Sequence, residues 1–158
     1  MNQELIFESP MFEPGGTVPT TYTCEGKDVS PLLTIGNVPT DARSLAVVVD
    51  DPDAPSGTFT HWLLWNVPPD VETIPEDVPR TETVERLSGA RQGTNGFGEL
   101  GYRGPCPPTG DSPHRYQFQL YVLDSRLDLQ AGAKRQALLD ATEPVRITTA
   151  AFTATFGR

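Results

Sequence analysis

The chain has 158 residues, of which 21 are acidic and 12 are basic, giving a formal net charge of −9. The electric field of so negative a protein repels nucleic acids and anionic membranes, so we expect neither as a partner. A chain of this length can bury a core without help from metals or disulfides, and we expect one domain over residues 1–158. The acidic, lysine-poor composition is also typical of a salt-adapted protein, which is a second hypothesis for the charge.

The N-terminal segment, MNQELIFESPMFEPGG, lacks the basic start and apolar centre of a secretory signal. No stretch of the sequence approaches the 18 consecutive apolar residues that a membrane span needs. We therefore expect a cytoplasmic protein without a membrane span. Cys24 and Cys106 could form one bridge, but in a reducing cytosol we expect two thiols instead.

Short apolar segments with a period of two recur along the chain, and 16 prolines and 14 glycines are spread between them. This pattern predicts an all-β fold with many tight turns. The predicted strands are 32–35, 45–49, 62–67, 116–123 and 145–156. In HWLLWNV, residues 61–67, both faces are apolar: Leu63, Trp65 and Val67 alternate with Trp62 and Leu64. We expect this strand to be central and covered on both sides.

Two segments depart from the strand pattern. AGAKRQALLDAT, residues 131–142, has small and apolar residues at helical spacing and predicts one amphipathic helix packed on the sheets. Residues 68–104 predict a long connection, which is acidic and proline-dotted at first and glycine-rich later. A connection of this length is usually functional or mobile.

Polar side chains stand at the ends of three predicted strands. In DPDAPSGTFTHW, residues 51–62, Asp51 and Asp53 follow one strand and His61 begins the next. His114 lies two residues before Tyr116, so both point to the same face if their strand extends that far. Side chains that converge over a rigid β core are typical of a ligand pocket. The alternative is that each histidine is a satisfied turn or edge residue.

Three segments, DPDAPSGTFTHWLLWNVP, GTNGFGELGYRGPCPPTG and HRYQFQLYVLD, together closely resemble the phosphatidylethanolamine-binding protein family, in its bacterial and archaeal Raf-kinase-inhibitor-like branch. The likeness extends over most of the chain from about Tyr22. It implies an antiparallel β-sandwich of two sheets with Greek-key links and one or two short peripheral helices. It also implies a cavity for a phosphate or similar small anion. We expect no cofactor and no metal. The implied ligand-site residues are Asp51, Asp53, Pro55, His61, Pro105, Cys106, His114 and Tyr116.

Within that set, Asp51, His61 and His114 are expected to line the cavity, and Asp53 and Pro55 to shape its loop. A cis bond between Ala54 and Pro55 is predicted there. Two imidazoles can supply the positive charge that an anion needs, so affinity is expected to fall above neutral pH. Asp51 is expected to orient one histidine by accepting its ring N–H, or to accept a hydrogen bond from an amine or hydroxyl of the ligand.

The resemblance leaves room for other functions. Relatives of this branch are commonly homodimers, and family members are often described as inhibitors of serine proteases or kinases, so both a homodimer and an inhibitor of such an enzyme are expectations. A hydrolase that uses Cys106 with His114 is a weaker hypothesis, because the prolines around Cys106 remove oxyanion-hole donors. A metal site would lack the usual local ligand spacing, and Ser56 lacks the G-x-S-x-G elbow of a serine hydrolase.

Overall fold

The computed structural model describes residues 4–158 and consists mainly of β-strands. The strands are β1 (Ile6–Glu8), β2 (Leu33–Gly36), β3 (Ser44–Asp51), β4 (Phe59–Val67), β5 (Thr73–Ile74), β6 (Thr83–Val84), β7 (Ala90–Gln92), β8 (His114–Leu123) and β9 (Arg146–Phe156). They form a three-stranded sheet in the order β1-β2-β5 and a six-stranded sheet in the order β6-β7-β4-β3-β8-β9. All named pairs are antiparallel. The predicted fold class is therefore confirmed.

The order of strands in the larger sheet places the functional strands side by side. After β7 the chain returns over a long connection, and β8 lies beside β3. The resulting order β8-β3-β4-β7 is that of a Greek key. Because β3 pairs with both β4 and β8, the strands that carry the candidate site form one continuous block at the centre of the sheet.

Apolar residues fill the space between the two sheets. Phe7 and Leu33 of the smaller sheet belong to the same buried cluster as Val47, Leu64 and Phe118 of the larger one. Burying a side chain of this size stabilises the fold by about 1.5–3 kcal/mol, so this core is the main source of stability. It also gives the strand ends a rigid base.

A second core covers the outer face of the larger sheet. There Ala46, Val48, Leu63 and Trp65 pack with Leu138 of the α-helix α1, which spans Arg135–Thr142. The central position predicted for β4 is thus confirmed, since its two faces contact different cores.

One residue of β4 breaks the predicted alternation. Val67 belongs to the core of Trp62 and Leu64 and not to that of Leu63 and Trp65. The cause is Asn66, whose φ of 58° is left-handed and shifts the register by one residue. Its side-chain amide is fixed by two hydrogen bonds to the backbone of Leu127.

Helix α1 confirms the helix predicted near the C-terminus. Its first residue, Arg135, donates from Nε to the buried carboxylate of Asp50, 3.1 Å away, which holds the helix against the sheet. The described residues also contain three short 3₁₀ turns, Thr20–Tyr22, Glu85–Leu87 and Glu143–Val145. Across residues 4–158, every helix is too short or too polar to cross a bilayer.

The predicted connection over 68–104 contains more structure than its composition indicates. It supplies β5 to the smaller sheet and β6 and β7 to the larger one. These strands have two or three residues each, too few to give a recognisable period of two. Strand β1 was missed for the same reason.

Candidate functional site

Three strand ends meet at one edge of the larger sheet. Asp51 is the last residue of β3, His61 the third of β4 and His114 the first of β8. Because β3 is antiparallel to both neighbours, its C-terminal end lies beside the beginnings of β4 and β8. The three side chains line one cavity of about 130 Å³. Its complete lining is Asp51, Ala54, Pro55, Phe59, His61, Phe97, Cys106, Pro107, Pro108, His114 and Tyr116.

Asp51 and His114 form a buried pair on the floor of this cavity. His114 Nδ1–H donates to Asp51 Oδ2 over 2.7 Å, and the two residues are only 5% and 4% exposed. The other ring nitrogen, Nε2, lies 3.3 Å from Asp111 Oδ2 at the rim. Burial lowers the pKa of His114, but the hydrogen bonds to Asp51 and Asp111 outweigh it and leave this pKa raised. His114 is therefore the residue best suited to carry positive charge here.

His61 is held in a different protonation state. Its Nδ1–H donates to the carbonyl oxygen of Arg103, 2.7 Å away, because a carbonyl can only accept. Burial lowers the pKa of His61 despite this hydrogen bond and the nearby Asp51. The neutral tautomer with the proton on Nδ1 is thus favoured, and Nε2 keeps its lone pair. The two imidazoles are therefore not equivalent: the pKa of His114 is raised and the pKa of His61 is lowered.

Tyr116 contributes a hydroxyl, and its ring lies near both histidines. Its ring centroid lies 5.4 Å from that of His61 and 6.4 Å from that of His114. The residue is fully buried, and within the described residues its hydroxyl has no hydrogen-bond partner. Burial raises its pKa, so the group stays protonated and can donate. A buried hydroxyl without a partner is costly, which points to a partner that arrives from the cavity.

The mouth of the cavity is apolar. Phe59 and Phe97 pack edge to face with centroids 4.8 Å apart, and Phe97 is 45% exposed. The guanidinium of Arg103 lies over the ring of Phe97, 5.4 Å from its centroid. Sequence reasoning did not identify either phenylalanine. Phe59 lies two residues before His61 and so had a period-two signal, whereas Phe97 comes from the long connection and had none.

Two predicted site residues lie outside the lining. Asp53 accepts hydrogen bonds from the backbone and guanidinium of Arg115, which lower its pKa to about 2. Its backbone N–H donates to Asp51 Oδ1 over 2.8 Å, so Asp53 supports the loop that holds Asp51. Pro105 is buried behind the wall, where its carbonyl accepts from the N–H of Cys24.

The loop after β3 also differs from expectation at Pro55. This residue lines the cavity, but every peptide bond within residues 4–158 is trans, so the predicted cis bond after Ala54 is wrong. The N–H of Gly57 donates to the carbonyl of Ala54 over 3.1 Å, and Gly57 has a φ of 105°. The loop therefore turns at a glycine and leaves the proline in its ordinary isomer.

The opposite wall is held by Asp28. Its carboxylate accepts from the N–H of Gly104 at 2.6 Å and from Nε of Arg103 at 2.8 Å. A Cβ on Gly104 would lie 2.0 Å from the carbonyl oxygen of Tyr22, so only glycine fits there. Because the carbonyl of Arg103 binds His61, this anchor also fixes the orientation of that ring.

A disulfide joins Cys24 and Cys106, which corrects the prediction of two thiols. The sulfur atoms are 2.11 Å apart across a sequence separation of 82 residues. The physical reason is proximity: the N–H of Cys24 binds the carbonyl of Pro105, which brings the two Cα atoms within 5.4 Å. Composition and an assumed reducing compartment could not reveal this contact.

The disulfide also removes one catalytic alternative. A thiolate is the nucleophile in cysteine catalysis, and the sulfur of Cys106 is committed to Cys24. The hydrolase hypothesis based on Cys106 is therefore wrong for this oxidised form. As for metals, residues 4–158 contain no cluster of three or more His, Cys, Asp or Glu side chains placed to hold an ion.

A model of the phosphatidylethanolamine-binding protein family matches residues 8–157, almost the whole chain. The chain belongs to the phosphatidylethanolamine-binding protein family. A UPF0098 protein of Pyrococcus abyssi is 50% identical over 141 residues, which cover 89% of this chain and 79% of the relative. The resemblance inferred from the three motifs is thereby confirmed.

Solved structures of family members have the same fold. The crystal structure of YbcL from Escherichia coli, described as a member of the mammalian family, superposes with a TM-score of 0.91, covers 99% of both chains and is 33% identical. A homologue from Chlamydia trachomatis has a TM-score of 0.88 at 35% identity, covering 98% of this chain and 97% of its own. These similarities agree with membership of a family of binding proteins.

Proposed function

We propose that this chain, folded as one domain over residues 1–158, is a non-catalytic protein that binds a small phosphorylated or other anionic ligand in the cavity. The observation that carries this proposal is the buried Tyr116 hydroxyl, which has no partner among the described residues. It stands beside the one imidazole, His114, whose pKa is raised. A neutral donor and a charged donor that face one cavity are what an oxyanion needs.

The size and shape of the cavity fit the same ligand class. Its 130 Å³ equals the liquid volume of about four water molecules at ~30 Å³ each, enough for a phosphate group with a small substituent. The phosphate would lie on the polar floor, and the substituent would contact the apolar mouth at Phe59 and Phe97. An acidic protein needs a local cation to attract an anion, and on the floor His114 provides it.

Phosphate binding is expected to weaken as pH rises. His114 loses its charge above its raised pKa, and a charge-assisted hydrogen bond becomes a neutral one, so affinity should fall by about tenfold or more between about pH 6 and pH 9. Titration calorimetry with inorganic phosphate measures this change.

The control for the pH experiment is His114→Gln, which keeps a donor but cannot gain charge. Its binding should be weak at both pH values, and any remaining slope reports the ionisation of phosphate itself. A wild-type affinity that is equal at both pH values, or no binding at either, would contradict the proposed function.

A homodimer is part of the proposal and has its own physical support. Strand β1 is an edge of the smaller sheet, and Ile6 and Met11 nearby are 40% and 48% exposed. Exposed apolar side chains at a free strand edge favour pairing with a second copy. Light scattering should give twice the chain mass of 17.2 kDa. Ile6→Asp should shift the protein toward the monomer, and a wild-type monomer at micromolar concentration would refute the dimer.

Inhibition of a protease or kinase remains the alternative function. An inhibitor of carboxypeptidase Y, solved with its cognate proteinase, has a TM-score of 0.53 with this chain at 19% identity, which supports the common fold alone. The cytoplasmic location is likewise proposed from the sequence. The Cys24–Cys106 disulfide weighs against this location, because such bonds are rare in a reducing cytosol outside hyperthermophiles.

A further inference from the structure

The cavity presents donors and an acceptor in a fixed arrangement. Tyr116 offers an O–H, because burial raises its pKa and keeps it protonated. Among the described residues no acceptor meets the geometry of a hydrogen bond to this hydroxyl, although the carboxylate of Asp51 is near enough to raise its pKa further. When charged, His114 offers Nε2–H, which the ligand shares with the rim carboxylate of Asp111 at 3.3 Å, since its Nδ1–H is already given to Asp51. These two groups bind oxygen lone pairs, as any oxyanion provides.

His61 offers the opposite polarity. Its Nδ1–H is used by the carbonyl of Arg103, so the proton cannot move to Nε2 without losing a buried hydrogen bond of 2.7 Å. Among residues 4–158 Nε2 has no hydrogen-bond partner, and the ring lines the cavity. An unprotonated ring nitrogen accepts, and it repels the lone pair of another acceptor. His61 therefore favours a ligand group that carries a hydrogen and can donate it to Nε2.

We propose, on the basis of the binding function above, that the cavity selects oxyanions that still carry an acidic proton. Phosphate and phosphomonoesters in their singly charged form meet this requirement. Two of their oxygens accept from Tyr116 and His114, and the P–O–H group donates to Nε2 of His61. Sulfate and sulfate esters have the same tetrahedral shape but no proton at neutral pH, so they leave His61 facing a lone pair.

The surrounding charges favour the same ionisation state. The carboxylate of Asp51 and the imidazolium of His114 nearly cancel, and Asp111 adds negative charge at the rim. Asp53 is paired with Arg115. Arg158 is a further cation beside the wall, where its Nε donates to the carbonyl of Pro107 over 2.7 Å. These charges cancel overall, so the site has no net positive charge to compensate the second negative charge of a dianion.

Methyl phosphate and methyl sulfate test the proposal as a matched pair. At about pH 5.5 the phosphate ester, with a second pKa near 6, is mostly a monoanion with one proton, whereas methyl sulfate is a monoanion without one. Shape and charge are thus equal, and only the hydrogen differs. Titration calorimetry should show methyl phosphate binding about tenfold or more tightly, because methyl sulfate leaves a buried acceptor unpaired.

Two variants locate the source of the selectivity. In His61→Gln the side-chain amide can present either NH₂ or C=O, so the preference should shrink to within about threefold. In Tyr116→Phe both ligands lose the same donor and should weaken together, with their ratio preserved. A full preference retained in His61→Gln would overturn the role of Nε2.

The outcomes separate this inference from the function on which it rests. Equal affinities for the two esters would overturn the proton requirement while leaving an anion-binding cavity. Binding of neither ester would overturn both. A preference for methyl phosphate that disappears in His61→Gln and persists in Tyr116→Phe supports the inference.

Discussion

Replacing Asp51 with asparagine is expected to weaken phosphate binding about 10- to 100-fold near neutral pH, although Asp51 itself would repel the ligand. The variant keeps an oxygen for the N–H of Asp53 but offers no charge to His114. Without the carboxylate, only Asp111 at the rim opposes the effect of burial, so the pKa of His114 falls and the imidazole is neutral over more of the pH range. The cavity then loses a charge-assisted hydrogen bond, worth about 1.5–3 kcal/mol.

The same variant gives a second, independent signal. Proton NMR of the imidazole of His114 should show its titration midpoint above the ordinary histidine value in the wild type and a lower midpoint in Asp51→Asn. Phosphate affinity in the variant should recover in part as the pH is lowered through this new midpoint. Recovery at low pH distinguishes the loss of an orienting charge from a collapsed pocket.

Asp53→Asn is the matched control. It alters a neighbouring carboxylate on the same loop that faces Arg115 and lies outside the cavity lining. Its phosphate affinity should stay within about threefold of the wild type, since an exposed ion pair contributes little. If Asp51→Asn and Asp53→Asn behaved alike, the proposed role of Asp51 would be lost.

The central strands could be predicted because their signal is local. Residues 62–65 are all apolar, and residues 116–123 alternate and then remain apolar; burial on one or both faces enforces these patterns. The site histidines follow from the same pattern, since each stands near the start of such a strand. Placing their rings near Asp51 required the antiparallel neighbours of β3, for which the family resemblance gave the expectation.

Other features depend on contacts that no local pattern encodes. Phe97 reaches the cavity mouth from the long connection, and Cys24 meets Cys106 across 82 residues. Asn66 moves Val67 to the opposite face through a left-handed residue fixed by Leu127. The different protonation of the two histidines was also hidden, because it depends on whether each Nδ1–H faces a carboxylate or a carbonyl.

Removing the disulfide by Cys24→Ser together with Cys106→Ser is expected to lower the free energy of unfolding by about 4 kcal/mol. Closing a loop of 82 residues restricts the unfolded chain, and the entropy model gives about 3 kcal/mol for short loops and ~4.7 kcal/mol near 100 residues. The total free energy of unfolding of a protein domain is only about 5–15 kcal/mol. The corresponding loss in Tm is about 10 °C.

Chemical denaturation of four samples measures this contribution: wild type and double variant, each with and without a thiol reductant. Reduced wild type should match the double variant, and reductant should leave the variant unchanged.

The phosphate affinity of the double variant should stay within about tenfold of the wild type. Asp28 still holds Gly104 and Arg103, and thereby the wall beside His61. Equal unfolding midpoints in all four samples would show that the cross-link contributes nothing. A stable variant that binds no phosphate would instead show that the disulfide, and not Asp28, positions the cavity wall.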